Sequence, residues 1–196
     1  MERQQTDERQ RQIAQATLAI IAEEGLGRFT TAAIARRVGL SEGALFRHFK
    51  SKKDMVVAAI GLVEEMFFSD FPPAGDDPLE RLGAQIRQRL ALLERHPFLV
   101  RLIFSRQLAQ ASGSKGSELV GRMQARTLGF IRSCLVEAEA KGLLREGLHA
   151  DELTVVVFGA VLGAANRDLY GAVLPEAAAG RIPATLWDTI ETLVRR

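Results

Sequence analysis

Cysteine is nearly absent: Cys134 is the only one in 196 residues, which excludes an intramolecular disulfide and a cysteine-rich metal cluster. Aromatic residues are scarce too, at 6% of the chain with one Trp and one Tyr. Long hydrophobic runs are missing. The most apolar stretch, LTVVVFGAVLGAA at 153–165, lies between Glu152 and the polar Asn166, Arg167 and Asp168. It falls short of the roughly 20 residues that span a bilayer. The N-terminus, MERQQTDERQRQ, is polar and mixed in charge, unlike a signal peptide. A cytoplasmic protein without membrane association is therefore expected.

Motifs for catalysis are also missing. There is no G-x-G-x-x-G, no phosphate-binding P-loop and no H-E-x-x-H. The three histidines, His48, His96 and His149, are far apart. Only His149 has carboxylates three residues away, Glu146 and Glu152, and Gly147 spoils a shared helical face. The acid pairs Glu64–Glu65 and Asp76–Asp77 fall on a helix flank and in a linker, where solvation explains them. No enzyme, no metal site and no cofactor is expected.

What is present favours helices. Hydrophobic residues make up 47% of the chain and charged ones 26%, enough apolar material for a core, and Ala, Leu and Arg enter helices at little cost. The net charge of +2 is small, but it is unevenly spread. Between Leu26 and Lys53 seven bases face one acid, Glu42, a local +6, while the rest of the chain carries −4. A short basic module on a slightly acidic body is an electrostatic footprint for phosphate.

Nearly every stretch between breakers shows helical spacing, and no segment alternates with period two. The pattern predicts an all-α protein of about nine helices. The first runs from Thr6 to about Glu24, with Ile13, Ala16, Thr17, Ile20 and Ile21 on one face. A second is capped by Thr30 or Thr31 and broken by Gly39; a third starts after Ser41 and ends near Phe49. A fourth spans about 51–69, its inward stripe running from Met55 to Phe67. Beyond the break PPAGDDP at 72–78, a fifth carries Leu79, Leu82, Ile86, Leu90 and Leu93. A sixth opens at Pro97 and ends before SGSKGS at 112–117, a seventh covers 117–141, an eighth is capped by Asp151 and reaches Tyr170, and Pro183 opens a ninth. Two domains are expected, over 1–50 and 51–196.

The block TTAAIARRVGLSEGALFRHFKSK, residues 30–52, reads as two short helices joined by the turn Gly39-Leu40-Ser41, a helix-turn-helix. At about 100° per residue, Leu45 and Phe49 share an inward face. Gly43 and Arg47 fall opposite, with Ala44 beside them. A recognition helix needs that layout: small residues allow a deep approach to the major groove, and Arg47 can offer its planar fork to a guanine. Phosphate contacts are expected from Thr30, Thr31, Ser41, His48, Ser51, Lys52 and Lys53. His48 equally fits a half-buried structural role, and Arg36 and Arg37 fit an ordinary solvated face.

The same block resembles the TetR family of bacterial transcriptional regulators. Thr31, Ile34, Ala35, Gly39, Ser41, Gly43, Leu45, His48, Phe49, Ser51 and Lys52 match that family's pattern position for position. The resemblance implies a homodimer, double-stranded DNA with two-fold pseudo-symmetry as its target, and repression relieved by a small-molecule effector. One departure is Phe46, where the family usually carries a tyrosine whose hydroxyl reaches a phosphate; only van der Waals contact with DNA remains there. The segment ERHPFLVRLIF at 94–104, with SEGALFRHF, is similar to the branch of the family concerned with nucleoid occlusion. That implies an alternative output, a DNA-bound adaptor that acts on a protein partner.

For the dimer interface, the candidates are Val156, Gly159, Ala160, Gly163 and Arg167 of the eighth helix together with Trp187, Ile190 and Val194 of the ninth. Small residues four apart let two helices approach closely; the same pattern fits the central helix of a monomeric core. For an effector, Met66, Phe67, Phe98, Phe104, Met123 and Phe130 are candidates for an apolar pocket, each equally at home in plain core.

Overall fold

The computed structural model describes residues 2–103, 106–166 and 170–196. Phe104 and Arg167, expected in the pocket and the dimer interface, lie outside the described residues. The described chain forms α1 (Glu2–Glu24), α2 (Thr31–Val38), α3 (Glu42–His48), α4 (Lys52–Phe68), α5 (Pro78–Arg95), α6 (Phe98–Ile103), α7 (Arg106–Ala140), α8 (Ala150–Ala165) and α9 (Glu176–Val194). Among the described residues β-structure is limited to an isolated bridge between Leu144 and Arg195. The architecture is all-α.

Cα proximity divides the chain into two units, residues 1–66 with 101–123, and residues 67–100 with 124–196. In the first, α1 packs on α2 and α3, and α2 on α3. Its core takes Ile13, Ile20 and Ile21 from α1, Phe29, Ile34 and Leu45 from the turn–helix segment, and Met55, Val56, Ile60 and Val63 from α4. The α4 stripe ends one residue later than expected, with Phe68 buried and Phe67 half-buried.

In the second unit α5 packs on α8 and α9, and α8 on α9. All five apolar residues expected inward on α5 are buried. Its N-terminus is capped by Asp77, whose carboxylate accepts from Leu79 N and Glu80 N at 2.8 and 3.3 Å, with Pro78 pre-set for the first turn. A close approach makes Gly83 necessary: a Cβ there would stand 2.2 Å from Nε1 of Trp187, which is 1% exposed. Ile131, Leu135 and Ala138 of α7 and Leu153, Val157 and Val161 of α8 complete this core.

The break expected at SGSKGS is present, whereas helix boundaries in α8 and α9 differ from expectation. The helical run Arg106–Ala140 is two helices joined across a kink within SGSKGS, at Gly113 (φ 68°, ψ −162°), a region open essentially to glycine alone. The serines are absorbed: Ser112 Oγ donates to the Leu108 carbonyl at 2.7 Å and Ser117 Oγ to that of Gly113 at 3.2 Å. A Cβ on Gly116 would meet Ser112 Oγ at 2.0 Å and Ile60 Cδ1 at 3.2 Å, so a small residue belongs there for packing.

Pro183 does not open α9, which begins at Glu176 after Pro175. It sits inside the helix and is buried in line with Ala179, Trp187, Ile190 and Val194, so packing outweighs the lost backbone hydrogen bond. Asp151 does not cap α8. His149 holds that position without a side-chain bond, and Glu139 at the end of α7 accepts from Ala150 N at 3.0 Å in its place. The helix ends at Ala165, before Tyr170.

Candidate nucleic-acid interface

The segment from Thr30 to Lys53 is built by caps. Thr30, in extended backbone, accepts from Ala33 N at 3.1 Å and starts α2. Gly39 ends it in the left-handed region (φ 68°, ψ 34°), which glycine adopts without steric cost. Ser41 accepts from Ala44 N at 3.2 Å and starts α3 two residues later. Leu45, fully buried, anchors the back of α3. Ser51 both accepts from Asp54 N at 3.2 Å and donates to its carboxylate at 2.7 Å, which sets the start of α4.

Further ties fix these helices to α1 and to each other. Gln10 Nε2 donates to the His48 carbonyl at 2.9 Å. Arg37 makes two bonds to Glu23 at 2.6 and 2.7 Å, which hold the Glu23 carboxyl below its usual range. Thr31 Oγ1 donates to Glu42 at 2.5 Å and so occupies the only acid of the basic segment.

The opposite face of α3 is open. Nothing lies within 4 Å of where a Cβ on Gly43 would stand. Phe46 is 47% exposed, and Arg47 is exposed beside it with no ion-pair partner among the described residues. Ala44 is half-buried. A free planar guanidinium on a helix with a flat front can reach a base edge in a major groove. Phe46 has no hydroxyl to give a phosphate and can meet only apolar atoms, such as a thymine methyl.

The expected phosphate donors are not equally free. Thr30, Ser41 and Ser51 serve as caps, and Thr31 serves Glu42. Lys52 donates to the Phe29 carbonyl at 2.5 Å and lies over the Phe29 ring at 4.4 Å, although its ammonium has three donors in all. Lys50 and Lys53 are exposed. His48 is half-buried with a buried, unpartnered Nδ1, leaving Nε2 as the nitrogen able to face a phosphate.

The remaining candidates are dispersed. Met66 and buried Met123 belong to the first unit, while Phe67, Phe98 and Phe130 are half-buried in the second. Val156 is 59% exposed and Val155 72%. Gly159 and Gly163 have open space where a Cβ would stand, and Ala160 is half-buried. Trp187, Ile190 and Val194 are buried in the protomer's own core, so they back the exposed α8 surface rather than form it. Leu193, not among the expected interface residues, is 64% exposed on α9.

Two polar residues inside the second unit were also missed, Gln85 and Arg89 on α5, at 5% and 8% exposure. The spacing contains the signal: they flank Ile86 and Leu90 on the buried stripe.

Among the described residues no helix is long and apolar enough to cross a membrane, and no group of metal-ligating side chains converges.

Comparison with known proteins adds two kinds of likeness. The sequence profile of bacterial regulatory proteins of the tetR family matches residues 13–59. The nucleoid occlusion factor SlmA of Vibrio cholerae serotype O1 is 33% identical over 167 residues, 81% of this chain and 83% of that protein. The ketosteroid transcriptional regulator KstR2 of Mycobacterium tuberculosis superposes with a TM-score of 0.69 at 20% identity, over 96% of this chain and 95% of that one. The transcriptional regulator FadR from Bacillus subtilis, in complex with stearoyl-CoA, does so at 0.67 and 18%, over 93% and 97%. The two structural likenesses establish the fold.

Proposed function

The chain belongs to the tetR family of bacterial regulatory proteins, and from that premise we propose that it is a homodimeric repressor whose palindromic operator is released on binding a small molecule. It is a DNA-binding transcriptional regulator. The observation that carries the finer reading is the open front of α3, where Gly43, Phe46 and Arg47 stand clear while the Ser41 cap, buried Leu45 and the Gln10 bond to the His48 carbonyl hold the helix from behind. In this reading residues 1–50 bind DNA in the cytoplasm and 51–196 bind effector and partner subunit.

The exposed apolar stretch of α8, Val155, Val156 and Gly159, with Leu193 of α9, supports a seam between two copies. Two-fold symmetry would set two α3 helices about 34–36 Å apart, one turn of duplex. The effector part is supported by the FadR likeness, a protein solved with stearoyl-CoA, and by the polar interior of α5.

A second reading has its own support, the 33% identity to a nucleoid occlusion factor that extends over 81% of the chain. There the DNA-bound dimer acts on a protein partner. Selection of bound fragments from sheared genomic DNA at physiological salt, followed by sequencing, separates the two. A few palindromic sites near its own gene are expected of the repressor; dozens of dispersed sites would overturn that reading in favour of occlusion.

A further inference from the structure

The second unit holds a buried cation with no carboxylate against it among the described residues. Arg89 on α5 is 8% exposed, and among the described residues no carboxylate bears on it; burial alone pushes its guanidinium down to about 10. It is therefore protonated at neutral pH. One of its five N–H donors goes to the Phe67 carbonyl, Nη2 to O at 3.2 Å. Its face lies 4.0 Å from the centre of the Phe67 ring and 5.3 Å from that of Phe68. Ring contacts hold a guanidinium in place but leave its edge donors unfilled.

Gln85 lies one turn earlier on the same face. It is 5% exposed, and its Oε1 is buried without a hydrogen-bond partner. A second guanidinium, Arg126, covers Phe68 at 4.2 Å and Phe71 at 4.6 Å. Phe71 in turn packs edge-on against Phe68 at 5.1 Å and Phe130 at 4.9 Å. Two arginines thus border one continuous aromatic wall, with Gln85 one turn from Arg89 on α5.

Buried polar groups are ordinarily hydrogen-bonded and buried charges ordinarily paired. Here the buried Gln85 Oε1 has no hydrogen-bond partner, and among the described residues the Arg89 charge has no carboxylate beside it. A carboxylate would fill two parallel N–H positions of Arg89 at once, and the Gln85 amide, turned to suit, would supply a further bond. The phenyl wall would take an apolar body. A neutral ligand would leave the guanidinium edge empty, and a cation would meet two like charges.

We propose that Arg89, with Gln85 beside it, receives the carboxylate of a small acid whose apolar body lies on the Phe68–Phe71–Phe130 wall. This acid is the effector of the repressor, a role that rests on the reading above. The acid site itself does not depend on that role.

Calorimetry of the full chain with decanoate and with 4-phenylbutyrate, each against its primary amide, reads the site without DNA. Saturable binding of at least one acid is expected, with its amide at least about tenfold weaker and Arg89→Met about 10–100-fold weaker for the acid. Arg89→Lys recovers part of that loss, because it keeps the charge without the fork. Gln85→Leu, expected to weaken the acid several-fold, stands in should Arg89→Met fail to fold. Equal binding of acid and amide, undiminished binding by the variants, or no binding of either acid overturns the site. The same acids are then added to the protein on its selected genomic fragments. Acid binding without DNA release overturns the repressor–effector reading and leaves the site standing. Release by an amide and not by its acid overturns the site and leaves that reading standing.

Discussion

Replacing Gly83 by alanine puts a methyl carbon 2.2, 2.5 and 2.8 Å from Nε1, Cδ1 and Cε2 of Trp187. Unstrained carbon contacts need about 3.5–4.0 Å, so the indole or α5 must retreat by more than about 1 Å. The indole has little room, being 1% exposed, with Nε1 bonded to Glu191 at 2.9 Å. Alanine gains about 1 kcal/mol of helix propensity over glycine. Against this stand about 1–3 kcal/mol or more for overpacking and about 1 kcal/mol for the strained indole bond. The net expectation is a loss of about 2 kcal/mol, or about 4–8 °C in Tm for a chain of this size. Urea unfolding followed by the fluorescence of the sole tryptophan measures it. A midpoint unchanged or raised would refute the close approach. Trp187→Phe, followed by circular dichroism, supplies the cycle: removing the pyrrole edge should make Gly83→Ala cheaper by about 1 kcal/mol or more.

Arg47→Ala should weaken specific binding by about 1–3 kcal/mol and relax preference at one guanine per half-site; competition binding against base-substituted sites would show an equal loss on every sequence if Arg47 reads no base. Gly159→Leu should yield monomer or aggregate in sedimentation, and a dimer like the unsubstituted one would move the seam away from this part of α8. Arg195, by its hydrogen bond first and then the capping amides of Leu79 and Glu80, holds the Asp77 carboxyl below its ordinary value. A folded pKa lowered in this way gives stability that is present above the unfolded value, about 3.9, and lost as pH falls through the folded one. Asp77→Asn keeps the cap and removes the ion pair, so it should cost about 1 kcal/mol at pH 7, with a smaller gap at about pH 3, below the unfolded value. Urea midpoints that differ equally at both pH values would refute that origin.

Local chemistry was the legible part of the sequence. Thr30, Gly39 and Ser41 act within a few residues of themselves, so the turn between α2 and α3 could be placed from spacing alone, and Leu79 to Leu93 marked the buried face of α5. Long-range packing was not legible. Pro183 signals a helix start, and only the burial of Ala179 and Trp187 on either side of it shows why α9 begins earlier. SGSKGS marks the break that Gly113 makes, but not the crowding of Gly116 by Ile60, far away in sequence. At the interface, exposure of Arg47 followed from helical phase, whereas that of Phe46 and the tie of Lys52 to the Phe29 carbonyl did not. Gln85 and Arg89 lay on the expected inward face and were passed over because polar residues rarely stand there unpaired.

The most direct test of sequence-specific DNA binding is a competition at physiological salt between a fragment selected from the genome and the same fragment with its bases shuffled. Base reading by α3 predicts a preference of about 10³-fold or more for the selected sequence. A ratio near one would contradict it and reduce the basic segment to a sequence-blind phosphate contact.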